Sequence, residues 1–587
     1  MFDRSHSLRR AVHQALAIAV LFCGASATLA QTQATPELSS GFTEKKAVTA
    51  KKYMIAAAHP AAAAAGLKIL DKGGSAVDAA IAAQLVLNLV EAHASGIGGG
   101  AFIMLYDAKH KAVTAIDSRE TAPAGVKPEL FLDAQGKPLK FLDAVIGGRS
   151  VGTPGLLRGL EAAHARYGKL EWAALFQPAI DLAEQGFPLP ARLQLHVSND
   201  KTLANNPAAK AYFYQPDGTP KQVGALMKNP EFAAVLRRVA KEGPDAFYKG
   251  DVARDIVAAV RNHPTNPGFL SEEDLANYRA RTVEPICGNY RAYRLCGMPP
   301  SSSGGVGVLQ MLGVLERFDM KSVRPGSTEA VHLFSEVGRL AYADRERYLG
   351  DDRFTPVPVA GLVDPAYVKS RSALIRPEKS MGKAEAGVPS GMKVAVADGD
   401  TLELPSTSHI VIVDGEGNAV SMTTTIEAFL GSRTFVRGFL LNNQMTDFSM
   451  TPVENGRAVA NSVYPGKRPR SSMAPFIVFD DKDKLKMVVG SPGGSAILNY
   501  VAKTVVATVD WGMDVQSAIS LPNFGSRNGP TELEKGTPLE ALIGPLKALG
   551  HDARAIDLTS GIHAIMVTPA GLVGGADPRR EGVALGR

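Results

Sequence analysis

The chain has 587 residues, of which 45% are hydrophobic and 21% are charged, a balance typical of a soluble globular protein with a large core. Its net charge is +6, and residues 1–30 carry +2 of it, so that +4 remains over the rest of the chain. This charge is slight for the length and argues against nucleic acid as a partner.

The N-terminus has the pattern of an export signal. Three arginines, Arg4, Arg9 and Arg10, precede a short apolar stretch at 15–24, and small residues follow up to Ala30. The apolar stretch is too short to span a membrane comfortably, which disfavours an uncleaved anchor. The sequence therefore predicts a signal peptide over 1–30, a periplasmic or secreted protein, and no membrane attachment after removal.

Two cysteines remain after this segment, Cys287 and Cys296, in a region rich in strand-forming residues. A disulfide across a hairpin and a pair of packed thiols both fit this spacing. No Cys/His cluster has the spacing of metal ligands, so neither a metal nor a cofactor is expected.

Two helices are predicted first, over 61–72 and 76–91, with Ser75 as the cap of the second. The second helix is apolar nearly all round, which indicates burial between layers. A glycine run at 95–100 and a strand at 101–106 follow. Helix, glycines, strand is the reverse of the dinucleotide-binding order, so close backbone packing explains the glycines better.

A second strand, 112–117, leads to Arg119. The planar guanidinium group of an arginine, with its paired N–H donors, suits a carboxylate ligand. An ordinary surface ion pair is the alternative. The region that follows is mostly helical. Helices are predicted at 155–167, 172–185, 231–242, 252–262, 272–278, from 306, and at 330–348, with strands around 282–298.

From about 377 to 406 the apolar residues show no periodicity, and the sequence is rich in glycine, proline and charged residues. A hairpin is predicted over 409–425. Thr407 stands at the junction of this linker and the strand. A hydroxyl residue there suits a chain that cuts itself at Ser406–Thr407, with the Thr407 hydroxyl as nucleophile and its freed amine as base. A structural threonine at a strand start is the alternative.

The last 181 residues are strand-rich, with helices on either side, which predicts a layered α/β sandwich. Gly493 and Gly494 follow a strand at 487–489, where their N–H groups could form an oxyanion hole. Further polar clusters contain Thr425, Glu427, Gln444, Asp447, Ser471 and Ser472.

At these clusters the chain resembles the γ-glutamyltransferases (γ-glutamyltranspeptidases), which are N-terminal-nucleophile hydrolases. The shared motifs lie at 59–60, 72–80, 95–100, 117–120, 298–305, 407–409, 441–444, 467–469, 490–494 and 576–579. The resemblance implies a four-layer αββα sandwich formed jointly by two chains of one precursor. The large chain would be 31–406 and the small chain 407–587, held together as a heterodimer.

The resemblance also implies a role for each site residue. Thr407 would be the nucleophile, with a hydrogen bond from Thr425, and Gly493 and Gly494 would stabilise the oxyanion. Two further sets would bind the γ-glutamyl group. Arg119, Ser471 and Ser472 would hold its α-carboxylate, and Glu427, Gln444 and Asp447 its α-ammonium.

The implied reaction runs through a γ-glutamyl-Thr407 ester. Water or the amine of an amino acid or peptide would resolve it, and glutathione is the donor that the family suggests. Two alternatives remain open: a glutaryl or cephalosporin acylase of the same superfamily, and an inactive periplasmic binding protein on the same scaffold.

The chain departs from the family at two places. Position 427 is Glu where some relatives have Asn, which should still hold an ammonium. The segment 449–467 is several residues shorter than in relatives with a lid, and Tyr464 lies late in it. We expect an open site that admits bulky donors and water.

Overall fold

The computed structural model describes residues 39–392, 396–399, 401 and 403–587. The predicted signal peptide and part of the linker before Thr407 lie outside the described residues. Within the described part, no helix is both long and apolar enough to cross a membrane.

Two antiparallel sheets of seven strands each form the centre of the molecule. In spatial order, the first sheet comprises Val583–Gly586, Met54–Ala57, Ser408–Val413, Ala419–Thr425, Gly100–Asp107, Ala112–Asp117 and Arg281–Val283. The second comprises Val48–Ala50, Gly571–Ala576, His563–Thr568, Leu485–Gly490, Phe476–Phe479, Tyr293–Gly297 and Ile286–Tyr290. Strands from both sides of the predicted cut therefore pair within each sheet.

The strand Ser408–Val413 shows why the layers stack as they do. Successive side chains of a strand point to opposite faces. Ile410 and Ile412 join one apolar core with the helices of residues 60–260, whereas Val411 and Val413 join a second core with the other sheet. All six residues of the strand are buried, as expected for a sheet covered on both faces.

Helices cover the outer face of each sheet, so that the αββα sandwich is confirmed. Over the first sheet lie Pro60–Asp71, Ala76–Val90, Leu156–Tyr167, Gln177–Gln185, Ala191–Asn199, Pro207–Phe213, Pro230–Glu242, Asp245–Tyr248, Asp251–Arg261 and Glu272–Asn277. The short helix Phe141–Val145 packs in a separate small apolar cluster. Over the second sheet lie Gly304–Leu315, Thr328–Tyr348, Pro365–Ser372, Ile497–Val509, Val515–Ser520 and Ile543–Ala548. The short helix Val359–Leu362 packs in another small apolar cluster.

The helix Ala76–Val90 begins as the sequence predicts. Ser75 and Asp78 form a reciprocal capping box, and every residue of the helix is buried. The glycine run after it packs closely, also as predicted. A Cβ at Gly98 would lie 2.1 Å from the Leu440 carbonyl oxygen, and one at Gly99 would lie 2.0 Å from that of Thr425.

The structure contains several elements that were not predicted from the sequence, among them the strands Val48–Ala50, Met54–Ala57 and Val583–Gly586 of the central sheets. The helix expected at 172–185 is divided into a 3-10 turn, Trp172–Leu175, and an α-helix, Gln177–Gln185, which has a proline in its first turn. A small sheet of Phe524–Ser526, Thr531–Glu534 and Ala553–Ile556 was not predicted. Its parallel pair joins segments about twenty residues apart, which local patterns do not reveal.

Cys287 and Cys296 form a disulfide. They face each other directly in the hairpin register of their two strands, with Cα atoms 4.1 Å apart. Of the two arrangements that the spacing left open, the bridged one is present.

Candidate active site

Most of the predicted site residues meet at one cavity. Its lining comprises Arg119, Glu403, Leu404, Thr407, Thr425, Glu427, Gln444, Asp447, Ser471, Ser472, Met473, Gly494 and Ile497. Of the predicted set, Ser406 and Gly493 do not line it, but each is the chain neighbour of a residue that does. The cavity brings together residues from both sides of the predicted cut.

Thr407 immediately precedes the strand Ser408–Val413, next to the register pair Ser408–Thr424. This register places Thr407 beside Thr425, and the Thr407 hydroxyl donates to Thr425 Oγ1 at 3.1 Å, the reverse of the direction that the resemblance implied. Thr425 Oγ1 also accepts the main-chain N–H of Glu427 at 2.8 Å. Two donors therefore fix the Thr425 hydroxyl oxygen beside the predicted nucleophile.

The backbone of Thr407 is strained. Its φ is +108°, a conformation that a β-branched residue rarely adopts and that costs on the order of 1–3 kcal/mol. Contacts on both sides hold it in place. Arg580 Nη1 donates to the Thr407 carbonyl oxygen at 3.0 Å, and Ser406 Oγ donates to the His93 carbonyl oxygen at 3.3 Å.

The glycine pair forms the turn between a strand and a helix. Gly493 has φ +136° and Gly494 has φ +55°, conformations that favour glycine. The helix Ile497–Val509 follows after a 3-10 turn. Gly494 therefore lines the cavity at the amino end of helical structure, where main-chain N–H groups carry a partial positive charge.

Arg119 is buried, with 1% of its surface exposed, so the surface ion pair considered as an alternative is wrong. Its Nη2 donates to the Asp447 carboxylate and, at 2.9 Å, to the carbonyl oxygen of Arg470. Nε donates to the Pro469 carbonyl oxygen at 3.3 Å. Arg119, just after the strand Ala112–Asp117, thus lines the cavity with a guanidinium group that these contacts hold in place.

The acidic side of the cavity consists of Glu427, Gln444 and Asp447. Gln444 Nε2 donates to Asp447 Oδ2 at 2.6 Å. Burial raises the pKa of Asp447 to about 6, against the opposing effect of Arg119. Burial and, next, the Asp447 charge raise the pKa of Glu427.

Two acceptors on this side lack a hydrogen-bond partner among the described residues. They are Gln444 Oε1 and Asp447 Oδ1, and both are buried. Buried polar atoms are nearly always hydrogen-bonded in proteins. Their position in the lining therefore points to a ligand that donates hydrogen bonds.

Ser471 and Ser472 are positioned by a second segment of the chain. Ser471 N donates to the Ser301 carbonyl oxygen at 3.2 Å, and Ser303 Oγ donates to the Ser471 carbonyl oxygen at 2.7 Å. Ser472 Oγ accepts Arg345 Nη2 at 2.9 Å. The serine-rich motif at 298–305 thus supports the site from outside the cavity.

Sequence reasoning missed several residues here. Glu403 and Leu404 line the cavity although they belong to the predicted linker. Arg345 touches Glu403 and Ser472 from a helix for which no site role was expected. Its spacing from the site residues carries no signal, because only tertiary packing brings them together.

Within the part of the chain that the structure describes, His332, Glu336 and His551 form a cluster with the residue types of a metal site. Its ring nitrogens already contact protein groups: His332 Nδ1 contacts His551 Nε2 at 2.7 Å, and His551 Nδ1 contacts Thr531 Oγ1 at 2.8 Å. Glu336 accepts from Arg339 Nε at 3.0 Å. The cluster is thus a complete polar network within the core.

Comparisons with known proteins agree with this geometry. The Gamma-glutamyltranspeptidase family model matches residues 62–587. The glutathione hydrolase proenzyme of Bacillus subtilis (strain 168) is 38% identical over 92% of each chain. That of Escherichia coli (strain K12) is 38% identical over 96% of this chain and 97% of its own.

Acylases are also similar to this chain. The acylase ACY 1 proenzyme of Pseudomonas sp. (strain SE83) is 37% identical over 92% of this chain and 94% of its own. The crystal structure of cephalosporin acylase from Bacillus halodurans matches with a TM-score of 0.81 and 27% identity, over 94% and 99% of the two chains.

A solved structure of the named family matches as well. It is the γ-glutamyltranspeptidase of Helicobacter pylori, with a TM-score of 0.53 and 32% identity over 60% of this chain and 97% of its own. Fold, family model and full-length relatives agree, and the chain belongs to the γ-glutamyltranspeptidase family of N-terminal-nucleophile hydrolases.

Proposed function

We propose that this protein is a self-processing γ-glutamyl transferase and hydrolase, with glutathione as a donor. One observation supports it above all: a single cavity holds a strained threonine together with charged groups of both signs. A γ-glutamyl amide has a scissile bond at one end and an α-carboxylate and α-ammonium at the other. The cavity offers partners for all three.

Self-cleavage is the first reaction. The Thr407 hydroxyl attacks the carbonyl carbon of Ser406, the C–N bond breaks, and the hydroxyl proton passes to the released amine. Water then hydrolyses the ester, leaving a carboxylate on Ser406 and a free Thr407. Relief of the Thr407 backbone strain favours this step, and the fixed Thr425 hydroxyl orients the nucleophile.

The products are a large chain, 31–406, and a small chain, 407–587. Strands from both lie in each sheet, and so the two chains stay together as a heterodimer. The N-terminal pattern at 1–30 supports export and removal of a signal peptide, with the mature enzyme in the periplasm or secreted.

The freed amine is the base of the second reaction. An N-terminal amine has a pKa near ~7.7–8.0, so it accepts the Thr407 hydroxyl proton at neutral pH. Thr407 Oγ attacks the γ-carbonyl of the donor, and the proton passes to the leaving amine. N–H groups at Gly493 and Gly494 stabilise the oxyanion. Water or an acceptor amine then resolves the γ-glutamyl ester.

Specificity comes from the two charged sides of the cavity. Arg119, Ser471 and Ser472 bind the α-carboxylate. The α-ammonium donates to the unpartnered Gln444 Oε1 and Asp447 Oδ1, and to Glu427. A donor that lacks the ammonium leaves these buried acceptors unsatisfied, which costs about 1–3 kcal/mol for each.

Among the described residues, the segment 449–467 contributes no aromatic side chain to the cavity lining. It forms a small hairpin of Val453–Glu454 and Arg457–Ala458. Tyr464 is 55% exposed, and its ring lies 5.6 Å from that of Phe354 instead of lining the cavity. This geometry supports an open site that admits large donors and water.

An acylase that removes glutaryl-type side chains is the second candidate, because acylases are among the similar proteins. A glutaryl group lacks the α-ammonium, which leaves Asp447 and Glu427 without a ligand. The test compares γ-glutamyl-p-nitroanilide with glutaryl-p-nitroanilide on the purified, self-cleaved enzyme. We expect turnover of the γ-glutamyl donor to be at least tenfold faster. Faster turnover of the glutaryl donor would overturn the proposal.

A further inference from the structure

Arg345 contacts the cavity wall from behind. It lies on the helix Thr328–Tyr348 and is buried. Its Nη2 pairs with the Glu403 carboxylate and also donates to Ser472 Oγ at 2.9 Å. Both of these partners line the cavity. A guanidinium therefore stands directly behind the side of the cavity expected to bind a carboxylate.

Glu403 presents a carboxylate to that same side. Its side chain is 5% exposed. Burial raises the pKa of Glu403, but the surrounding guanidinium groups, Arg345 first, lower it below its ordinary value. A hydrogen bond from Ser472 acts in the same direction. The uncut chain thus holds an ionised carboxylate against Ser472, a predicted partner of the substrate carboxylate.

The next residue contacts the opposite side of the cavity. Leu404 N donates to Glu427 Oε1 at 3.1 Å. Glu403 and Leu404 together present a carboxylate to Arg345 and Ser472 and an N–H donor to Glu427. The α-carbon of a γ-glutamyl donor carries the same pair of groups, a carboxylate and an ammonium. The segment before the cut therefore occupies both binding positions at once.

The charges around Arg345 show how its guanidinium would be left if Glu403 moved away. Glu346 contacts Arg345 and also pairs with Arg470 Nη2 at 2.6 Å. Without Glu403, the Glu346 carboxylate would be shared by two buried guanidinium groups, those of Arg345 and Arg470. A buried charge that loses its partner is costly, which favours the binding of another carboxylate in the same place.

Cleavage at 406–407 makes Glu403 the fourth residue from a free C-terminus and allows it to leave. We infer that Arg345 then binds the α-carboxylate of the γ-glutamyl donor, at the position that Glu403 occupies in the uncut chain. This assignment rests on the proposed function. It makes Arg345 a substrate-binding residue that neither the motif spacing nor the cavity lining identifies.

The test compares two donors that differ only in this carboxylate, γ-glutamyl-p-nitroanilide and 4-aminobutyryl-p-nitroanilide. We expect R345Q to raise KM for the glutamyl donor at least tenfold and to leave kcat/KM for the aminobutyryl donor within twofold. R345K keeps the positive charge, so its KM for the glutamyl donor should lie between those of the unaltered enzyme and R345Q. R347Q, on the same helix but paired with Asp398 near the surface, is the matched control.

The two hypotheses fail in different ways. If R345Q lowers turnover of both donors by the same factor, Arg345 has only a structural role and the inference is wrong. If the unaltered enzyme shows no preference for the glutamyl donor over the aminobutyryl donor, the proposed function itself is wrong.

A second measurement needs no self-cleavage and decides the matter if R345Q is not processed. In the uncut T407A chain, the Glu403 carboxylate occupies the proposed binding position beside Arg345. In T407A/E403A that carboxylate is absent. We expect L-glutamate to raise the melting temperature of T407A/E403A more than that of T407A. When R345Q is added to both chains, the two shifts should become equal. Equal shifts in T407A and T407A/E403A would overturn the inference.

Discussion

Arg119 and Asp447, which are proposed to bind the two oppositely charged groups on the α-carbon of one substrate, are paired with each other in the structure. Each neutralises the other, so neither buried charge stands alone. A γ-glutamyl group carries both charges and can satisfy both residues. A ligand with one charge satisfies only one of them.

The first prediction tests the acidic side. D447N removes the charge that faces the ammonium and should raise KM for γ-glutamyl-p-nitroanilide about 10–100-fold, the range for a hydrogen bond to a charged group. Steady-state kinetics measure this. Turnover of glutaryl-p-nitroanilide, which has no ammonium, should not fall further in D447N, and an equal loss with both donors would contradict the assignment.

The second prediction concerns pH. Burial raises the pKa of Asp447 to about 6, so the carboxylate is charged above that pH and neutral below it. Because the ammonium needs the charged form, KM for the γ-glutamyl donor should rise as the pH falls through about 6. Initial rates between pH 4.5 and 8 give the profile. D447N should lose this dependence, and an unchanged profile in D447N would assign it to another group.

The third prediction tests the threonine pair. T425V keeps the shape of the side chain but removes the hydroxyl that accepts from Thr407. We expect self-cleavage and kcat to fall about 10–100-fold with little change in KM. T425S retains the hydroxyl and should keep most of the activity. Equal losses in the two variants would mean that the hydroxyl alone does not explain the role of Thr425 and would contradict this prediction.

The fourth prediction concerns the nucleophile itself. T407A should remain one uncut chain on a denaturing gel, whereas the unaltered protein should give two unequal bands. The reason is that alanine has no hydroxyl to attack the Ser406 carbonyl. The S406A chain keeps the nucleophile and should still cleave. Cleavage of T407A at the same bond would contradict the proposed self-processing.

The fifth prediction concerns stability. The disulfide between Cys287 and Cys296 closes a short loop, and C287S/C296S should lower the free energy of unfolding by about 2–3 kcal/mol. Urea denaturation measures this. The hairpin lies away from the cavity lining, so kcat and KM should be unchanged at low temperature. A loss of activity without a loss of stability would be the contrary result.

The sequence by itself determined many of the helices and strands and most of the residues that line the cavity. Ser75 and Asp78 cap a helix, and a buried strand starts just after Thr407, because these features depend on local spacing. Arg119, Asp447 and Ser472, which line the cavity, were identified from motifs that resemble those of the family.

Only the tertiary structure decided how those residues meet. The Arg119–Asp447 pair joins positions 328 residues apart, and no periodicity in the sequence couples them. Packing also placed Arg345 and Glu403 at the cavity wall, because a helix of the large chain lies against the segment before the cut. The Thr407 strain depends on the register and contacts of its neighbours, which local sequence does not contain.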